Sequence, residues 1–146
     1  MRGFVLLKPE AVQRNLVGRL ISAIEDKGLK IIALKMLQAE LEQVRQLYGH
    51  LESRPYYQQM LSYAMDGPVI AMVVDAPGAI DASALLTQLQ GTFKSSGTLR
   101  FRFVSHPSRN VLHCSENSDA AEREIASFVA PHEVCEYEKV LDRWLN

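Results

Sequence analysis

Short apolar segments alternate with longer amphipathic stretches along this chain. Residues 3–7 and 69–74 are apolar runs of strand length, residues 29–36 form a segment rich in Ile and Leu, and residues 111–114 form a shorter, mostly apolar one. Runs of this kind between polar segments are typical of buried strands. Residues 69–74 are apolar throughout, which predicts a strand that is covered on both faces.

Between these runs, apolar residues recur at helical spacing. The pattern predicts helices over residues 17–24, 41–51, 82–89 and 121–128, and a short helix that opens around Ser53 and ends at residues 67–68. Asn15 and Asp119 are candidate caps for the first and last helices, and Gly28 is a candidate stop. The order of elements favours an α+β fold, a ferredoxin-like sandwich in which helices cover a four-stranded antiparallel sheet.

One segment gives an ambiguous pattern. Apolar residues at positions 99, 101 and 103 alternate with polar ones, which by periodicity alone indicates a half-exposed strand. Arg100 and Arg102 would then share the polar side, where two guanidinium groups could bind a phosphate. Solvation at the surface is the commoner fate of such arginines.

Composition narrows the class of protein. The 146 residues suit one domain with its own core, so we assign residues 1–146 to a single domain. A net charge of −1 gives no excess of positive charge that would attract nucleic acid or an anionic membrane. The apolar runs are too short to span a bilayer, and the first residues lack the pattern of a signal peptide. We therefore expect a cytoplasmic protein without nucleic-acid or membrane partners.

The two cysteines, Cys114 and Cys135, form neither a disulfide framework nor a metal-ligand spacing. Reduced thiols are the expectation, and no metal site built from protein ligands is predicted. A thiol beside a reactive histidine and near basic groups would be open to oxidation, which is a separate hypothesis for Cys114.

His113 is the main candidate for chemistry. Imidazole near neutral pH acts as a nucleophile or a general base when an acceptor holds one ring nitrogen and leaves the other free. Glu124 and Ser115 are the nearby candidates for that orienting role. The alternative is a structural histidine in the core, and the company of Lys8, Arg100, Asn110 and Ser115 argues against it.

Four further residues have both a functional and a structural interpretation. Lys8 ends an apolar strand just before a proline, where an ammonium can meet phosphate, although a solvated strand end is equally compatible. Tyr56 and Tyr57 could stack on a base, and helix packing is the preferred interpretation for Tyr57. Tyr48 lies on an apolar helical face, so its hydroxyl needs a partner if it is buried.

The sequence resembles the nucleoside diphosphate kinases nearly from end to end. The resemblance rests on several ordered matches, at residues 8–9, 12–18, 27–28, 54–57, 67–73 and 109–113, and on the helix that carries Glu124. It implies a ping-pong reaction, in which a nucleoside triphosphate phosphorylates a histidine and the phosphohistidine then phosphorylates a nucleoside diphosphate. It also implies a homo-oligomer built from dimers, and Mg²⁺ that arrives with the nucleotide.

The resemblance also assigns roles to single residues. His113 matches the nucleophile, Glu124 the carboxylate that holds its ring, and Ser115 and Tyr48 the hydroxyls beside it. Lys8 matches the lysine that reaches the sugar 3′-hydroxyl and the phosphates.

The nucleotide-binding matches are Asn110 at the ribose, Arg100 at the phosphates and Tyr56 at the base. Tyr56 takes the place of an aromatic residue that is usually phenylalanine.

The sequence departs from the family pattern beside the phosphates. Residues 81–86 contain no counterpart of a second phosphate-binding arginine, the loop at residues 90–97 is about one residue short, and a threonine is missing there. Thr92, Lys94 or Arg102 are candidates to compensate. Two alternatives follow, a nucleotide-binding regulatory module with weak or no kinase activity, and a purely structural subunit of an oligomer. In the family the segment at residues 99–103 is not a regular strand, and we expect the same here.

Overall fold

The four apolar runs form one antiparallel sheet. The computed structural model describes residues 1–106 and 108–145. The strands are β1 Arg2–Leu7, β2 Lys30–Gln38, β3 Pro68–Asp75 and β4 Leu112–Cys114, in the order β2-β3-β1-β4, and every neighbouring pair is antiparallel. This is the ferredoxin-like arrangement that the sequence predicted.

Helices cover both faces of the sheet. They are α1 Pro9–Gln13, α2 Val17–Asp26, α3 Leu41–Tyr48, α4 Tyr57–Ala64, α5 Ala82–Gln90, α6 Leu99–Phe103, α7 Ser118–Phe128 and α8 Asp142–Leu145, with 3₁₀ turns at Gly49–Leu51 and Pro131–Glu133. In the described ranges, no helix is both long enough and apolar enough to cross a membrane.

The sheet separates two cores because successive side chains of a strand point to opposite faces. Phe4 and Leu6 of β1 pack in the core that contains residues of α3, α4 and α7. Val5 and Leu7 pack on the other side, against residues of α2 and α5. All four side chains have no solvent exposure, as the uninterrupted apolar run of β1 requires.

Both predicted caps were wrong. Asn15 adopts a left-handed conformation at φ 57° between α1 and α2, and Leu16 occupies the N-cap of α2. The sequence missed α1, whose five residues are too short to show a helical period. Asn117, and not Asp119, caps α7 by accepting a hydrogen bond from the Ala120 N–H, so Asp119 lies in the first turn.

The ambiguous segment is a helix. Leu99–Phe103 forms α6, and Thr98 at its N-cap accepts a hydrogen bond from the Phe101 N–H. The alternating pattern was misleading because five residues complete little more than one helical turn. The helix predicted around Ser53 begins instead at Tyr57, after the 3₁₀ turn.

Candidate active site

A cavity of about 1020 Å³ opens beside β4, between α3, α4, α5 and α7. Its lining includes most of the residues that the sequence proposed for chemistry: Lys8, Tyr48, Tyr56, Arg100, Asn110, His113 and Glu124. Residues separated by more than a hundred positions in the chain therefore meet at one site. Such a concave site with convergent polar groups is the usual form of a ligand or active site.

His113 has one ring nitrogen committed to the protein. Its Nε2 lies 2.5 Å from Oε1 of Glu124, a residue of α7 that is only 2% exposed. Because a carboxylate accepts, this partner assigns the hydrogen to Nε2 and leaves the lone pair on Nδ1. Among the described residues, Nδ1 has no hydrogen-bond partner, so it is the nitrogen available for reaction.

Tyr48 packs edge-on against the imidazole, with 5.6 Å between the ring centroids. Its hydroxyl is buried and has no hydrogen-bond partner within the described part of the chain. Burial raises the pKa of this phenol far above its usual range, so the hydroxyl keeps its proton. Among the described residues, the Tyr48 hydroxyl is therefore a donor without an acceptor, next to the imidazole of His113.

Lys8 places an ammonium group inside the cavity. Nζ donates to Asn110 Oδ1 at 2.5 Å and lies 4.9 Å from the centre of the Tyr48 ring. Burial lowers the pKa of Lys8 to about 7, while Glu10 opposes that shift and Arg100 and Arg109 add to it. An anionic ligand would reverse the effect, because it favours the charged form.

Arg100 is anchored by one end of its guanidinium. One terminal nitrogen donates to the Leu112 carbonyl at 2.9 Å, and its Nε is buried without a partner in residues 1–106 and 108–145. Burial lowers the pKa of Arg100, although a guanidinium stays protonated. A buried donor without an acceptor costs roughly 1–3 kcal/mol, which a phosphate oxygen would recover.

A sharp turn aims the residues before β4 at the cavity. Val111 has φ 73°, and the Leu112 N–H donates to the Asn110 carbonyl at 2.8 Å across it. A β-branched residue there is strained by roughly 1–3 kcal/mol. The Val111 N–H donates to Glu10 Oε2 at 3.2 Å, and its carbonyl accepts from the Lys8 N–H at 2.9 Å. These bonds on both sides hold the strained turn in place.

Ser115 lies in the core and does not line the cavity. Its hydroxyl accepts from the Phe4 N–H at 3.0 Å and pairs with the Ser83 hydroxyl at 2.7 Å. Its own N–H donates to the Phe4 carbonyl at 2.9 Å. These contacts fasten the end of β4 to β1 and connect both to α5. Within the described ranges, Glu124 and not Ser115 is hydrogen-bonded to the imidazole ring.

The two tyrosines at the start of α4 have different surroundings: Tyr56 lies at the cavity and Tyr57 lies in the core. Tyr56 lines the cavity and is 46% exposed, so part of its side chain is accessible to a ligand. Tyr57 is buried in the core against residues of the sheet. The adjacent positions of a helix face different directions, and only Tyr56 faces the cavity.

The sequence model for "Nucleoside diphosphate kinase" matches residues 1–134. The chain belongs to the nucleoside diphosphate kinase family. Nucleoside diphosphate kinases from Ignicoccus hospitalis and Listeria welshimeri are 38% and 34% identical to it, over 92% and 97% of each chain. A solved nucleoside diphosphate kinase from Halobacterium salinarum, in complex with CDP, superposes with a TM-score of 0.91 at 32% identity, over 100% of this chain and 98% of that one.

The side of the cavity formed by α5 differs from the other sides. There Thr87 and Gln90 line the cavity, and the described lining contains no charged residue of α5. Arg102 is exposed and lies over the Phe103 ring, and Lys94 lies over the Phe93 ring. Thr92 bonds to Ser95 within its own loop. Thr92, Lys94 and Arg102, the candidates to compensate for the missing phosphate contacts, are therefore not part of the described cavity lining of this member of the nucleoside diphosphate kinase family.

Sequence reasoning missed Gln90 and Arg109. Arg109 stacks 3.6 Å from the centre of the Tyr63 ring and donates to Asp66 at 2.9 Å, so it braces the cavity wall. Gln90 accepts a hydrogen bond at 2.9 Å from the N–H of Cys114, beside His113. Neither partner is close in sequence, and no local pattern could have indicated the contact.

Cys114 does not fit the oxidation hypothesis. The residue is 8% exposed, and burial raises the pKa of its thiol to about 12, an effect that Arg100 only partly opposes. A thiolate, the form that oxidants attack, is therefore scarce near neutral pH. Cys135 is the exposed cysteine of the two.

Proposed function

We propose that this chain is a nucleoside diphosphate kinase that works through phosphorylated His113. The observation that carries the proposal is the imidazole of His113, whose Nε2 is held by buried Glu124. Beside it lie two buried donors, the Tyr48 hydroxyl and the Arg100 Nε, that have no partner in the part of the chain that the structure describes. A histidine that only filled the core would not require partnerless donors around it. Those donors are satisfied when an anion occupies the cavity.

The reaction has two half-reactions of the same kind. The Nδ1 lone pair of His113 attacks the terminal phosphorus of a nucleoside triphosphate, the P–N bond forms, and the bond to the bridging oxygen breaks. The nucleoside diphosphate leaves with that oxygen. A second nucleoside diphosphate then attacks the phosphohistidine through a terminal oxygen, which restores the imidazole. Glu124 stabilises the positive charge that develops on the ring in each direction.

The cations of the cavity stabilise the phosphates. Lys8 and Arg100 provide charged donors, and the Tyr48 hydroxyl provides a neutral one next to the ring. Asn110 accepts from Lys8 through Oδ1, so its Nδ2 remains available for a ribose hydroxyl. Charge spread over the transferred phosphoryl group is stabilised by donors that are already in place. Ser115 acts as a positioning residue for the strand that carries His113.

The base is proposed to stack on Tyr56. A ring face offers no hydrogen bonds to the base edge, and stacking is therefore tolerant of which base is bound. This arrangement predicts activity with several nucleoside diphosphates.

Mg²⁺ is proposed to arrive with the nucleotide. In the described part of the chain no group of three or more possible ligands surrounds a metal position. Glu116 and Asp119 are cavity carboxylates, a donor set that fits Mg²⁺ held mainly by phosphate oxygens and water. Bound there, the ion would neutralise charge on the phosphates.

Intact mass after brief incubation with ATP and Mg²⁺, kept at neutral or alkaline pH, tests this function. We expect one added phosphoryl group, its loss after a chase with GDP, and no adduct in a His113→Ala variant. Nucleotide binding without an adduct would refute the kinase activity and favour the regulatory module. The lack of a charged residue on the α5 side of the cavity would then explain the lost transfer. Absence of nucleotide binding would leave only the structural subunit.

The organisation of the protein is also a proposal. We expect a single domain over residues 1–146 that assembles as a homo-oligomer built from dimers and works in the cytoplasm without nucleic-acid or membrane partners. Leu34 and Met36 on edge strand β2 are 54% and 60% exposed, which supports assembly. Light scattering that gives the 16.4 kDa mass of one chain would contradict it.

A further inference from the structure

The phosphates of a bound nucleotide meet different chemistry on the two sides of His113. Lys8, which directly follows β1, and Arg100 of α6 bring positive charge to the cavity. On the α5 side, the described lining offers only the uncharged side chains of Thr87 and Gln90. The Thr87 hydroxyl donates to the Ser83 carbonyl at 2.9 Å within its own helix, so Gln90 is the group left for a ligand.

The orientation of the Gln90 carboxamide is fixed by its partner. The backbone N–H of Cys114 can only donate, and the Gln90 atom 2.9 Å away is therefore the oxygen, Oε1. The amide nitrogen, Nε2, is left with two N–H groups. In the described residues Nε2 donates to no protein acceptor, and the half-buried side chain lines the cavity next to the strand of His113.

The backbone below Gln90 is held rigidly. Gln90 is the last residue of α5, and Gly91 follows with φ 57° and ψ −154°, a conformation that is essentially restricted to glycine. A Cβ at Gly91 would lie 2.3 Å from the Thr98 side chain. Thr98 in turn donates to the Ser95 carbonyl at 2.6 Å, which closes the following loop. A donor at the end of such an element is preorganised, as stabilisation of a transition state requires.

We propose that Gln90 Nε2 donates hydrogen bonds to the phosphoryl group that passes to His113, while Oε1 holds the strand beside it. The amide is thus the donor to the phosphates on the α5 side, where the described lining has no charged residue. This inference rests on the proposed function. A neutral N–H that donates to a phosphate oxygen makes a charge-assisted hydrogen bond, and its loss should slow the transfer about ten- to a hundredfold.

Three variants separate the donor from the strand contact. Gln90→Met keeps the length of the side chain and loses both roles. Gln90→Arg loses the acceptor for Cys114 and supplies donors to the phosphate. Gln88→Met is the matched control, because Gln88 is exposed on the same helix and is not part of the cavity lining. Thermal melting of all three checks that each is folded.

The readout is the single-turnover rate of His113 phosphorylation by ATP and Mg²⁺. We expect Gln90→Met to be about ten- to a hundredfold slower, Gln90→Arg to lie within about threefold of the wild type, and Gln88→Met to be unchanged. If Gln90→Arg is as slow as Gln90→Met, Gln90 serves only the strand and the proposal is overturned. A wild-type rate in Gln90→Met overturns it as well.

A binding measurement keeps this result distinct from failure of the kinase. If the wild type forms no phosphohistidine, the proposed function fails, and the contact is judged with a non-hydrolysable ATP analogue. If Gln90 contacts the terminal phosphate, Gln90→Met should weaken binding of the analogue about tenfold or more and leave AMP binding unchanged. Equal weakening of both ligands, or of neither, would overturn it.

Discussion

Lys8 should take up a proton when a nucleotide binds. Its side chain is 5% exposed, and burial lowers its pKa to about 7, against an opposing effect of Glu10 and with added lowering from Arg100 and Arg109. A polyphosphate beside Nζ favours the ammonium form and should return the pKa towards its ordinary value. Binding is then linked to protonation of one identified side chain.

The magnitude follows from that pKa. At pH 8, only about a tenth of the free protein carries a charged Lys8, so binding should take up roughly 0.9 proton. Between pH 7.5 and 9.0, the charged fraction falls and the apparent Kd should rise roughly 25-fold. This range lies above the last ionisation of the phosphates themselves, near pH 6, which keeps the ligand in one form.

Titration calorimetry with ADP, in buffers of different ionisation enthalpy, measures the uptake directly. Lys8→Arg is the control, because a guanidinium stays charged throughout this range. It should bind without proton uptake and with a Kd that is level from pH 7.5 to 9.0. If the wild type behaves like Lys8→Arg, Lys8 is already charged in the free protein and the reasoning from burial is refuted.

Four further outcomes are expected. Glu124→Gln should slow phosphorylation of His113 about a hundredfold in a single-turnover assay, since the ring loses its anionic partner, and a rate within threefold of the wild type would contradict this. Tyr56→Ala should weaken ADP binding roughly 5- to 100-fold by calorimetry, whereas Tyr56→Phe should bind like the wild type, and equal losses in both would exclude stacking. Brief peroxide treatment should leave the activity of a Cys135→Ser variant intact, and inactivation prevented by Cys114→Ala would show that the thiol is accessible. Lys8→Met should raise the free energy of unfolding in urea on the order of 2–4 kcal/mol below pH 7, where the folded wild type carries a buried charge. This gain should shrink as the pH approaches 10.5, because the unfolded lysine then also loses its proton, and a gain independent of pH would argue against that cause.

Strands β1 and β3 were predictable because burial on both faces leaves a simple trace, a run of apolar residues. Their pairing is less direct, because β1 lies between β3 and β4 and does not pair with β2, the strand that follows it in the chain. The caps were not predictable at this level, since Asn117 and Asp119 are both good cap residues and the exact start of α7 decides between them. The residues 99–103 formed a helix because their backbone is capped by Thr98, which outweighs an alternating pattern over five positions.

The site was predictable as a set of residue types and less so as a set of contacts. His113 and Glu124 meet because β4 and α7 are adjacent in the chain, and Glu124 was one of the two candidates that the sequence offered for holding the ring. Ser115 lies only two positions after His113 in the chain, but β4 ends at Cys114, so the two-residue alternation of a strand does not carry its hydroxyl to the imidazole side. Gln90 depends on a backbone N–H that lies 24 positions away, and no side-chain pattern encodes such a bond.

The turn at Val111 limits which changes of length this protein can tolerate. His113 pairs with Leu6 across the sheet, and its neighbours Leu112 and Cys114 pack on the opposite face. One residue inserted between Asn110 and His113 would exchange these faces and bury the imidazole away from the cavity. Insertions in the exposed segment near residue 105, before this turn, leave that register unchanged. Relatives should therefore differ in length before the turn and keep an invariant spacing within it.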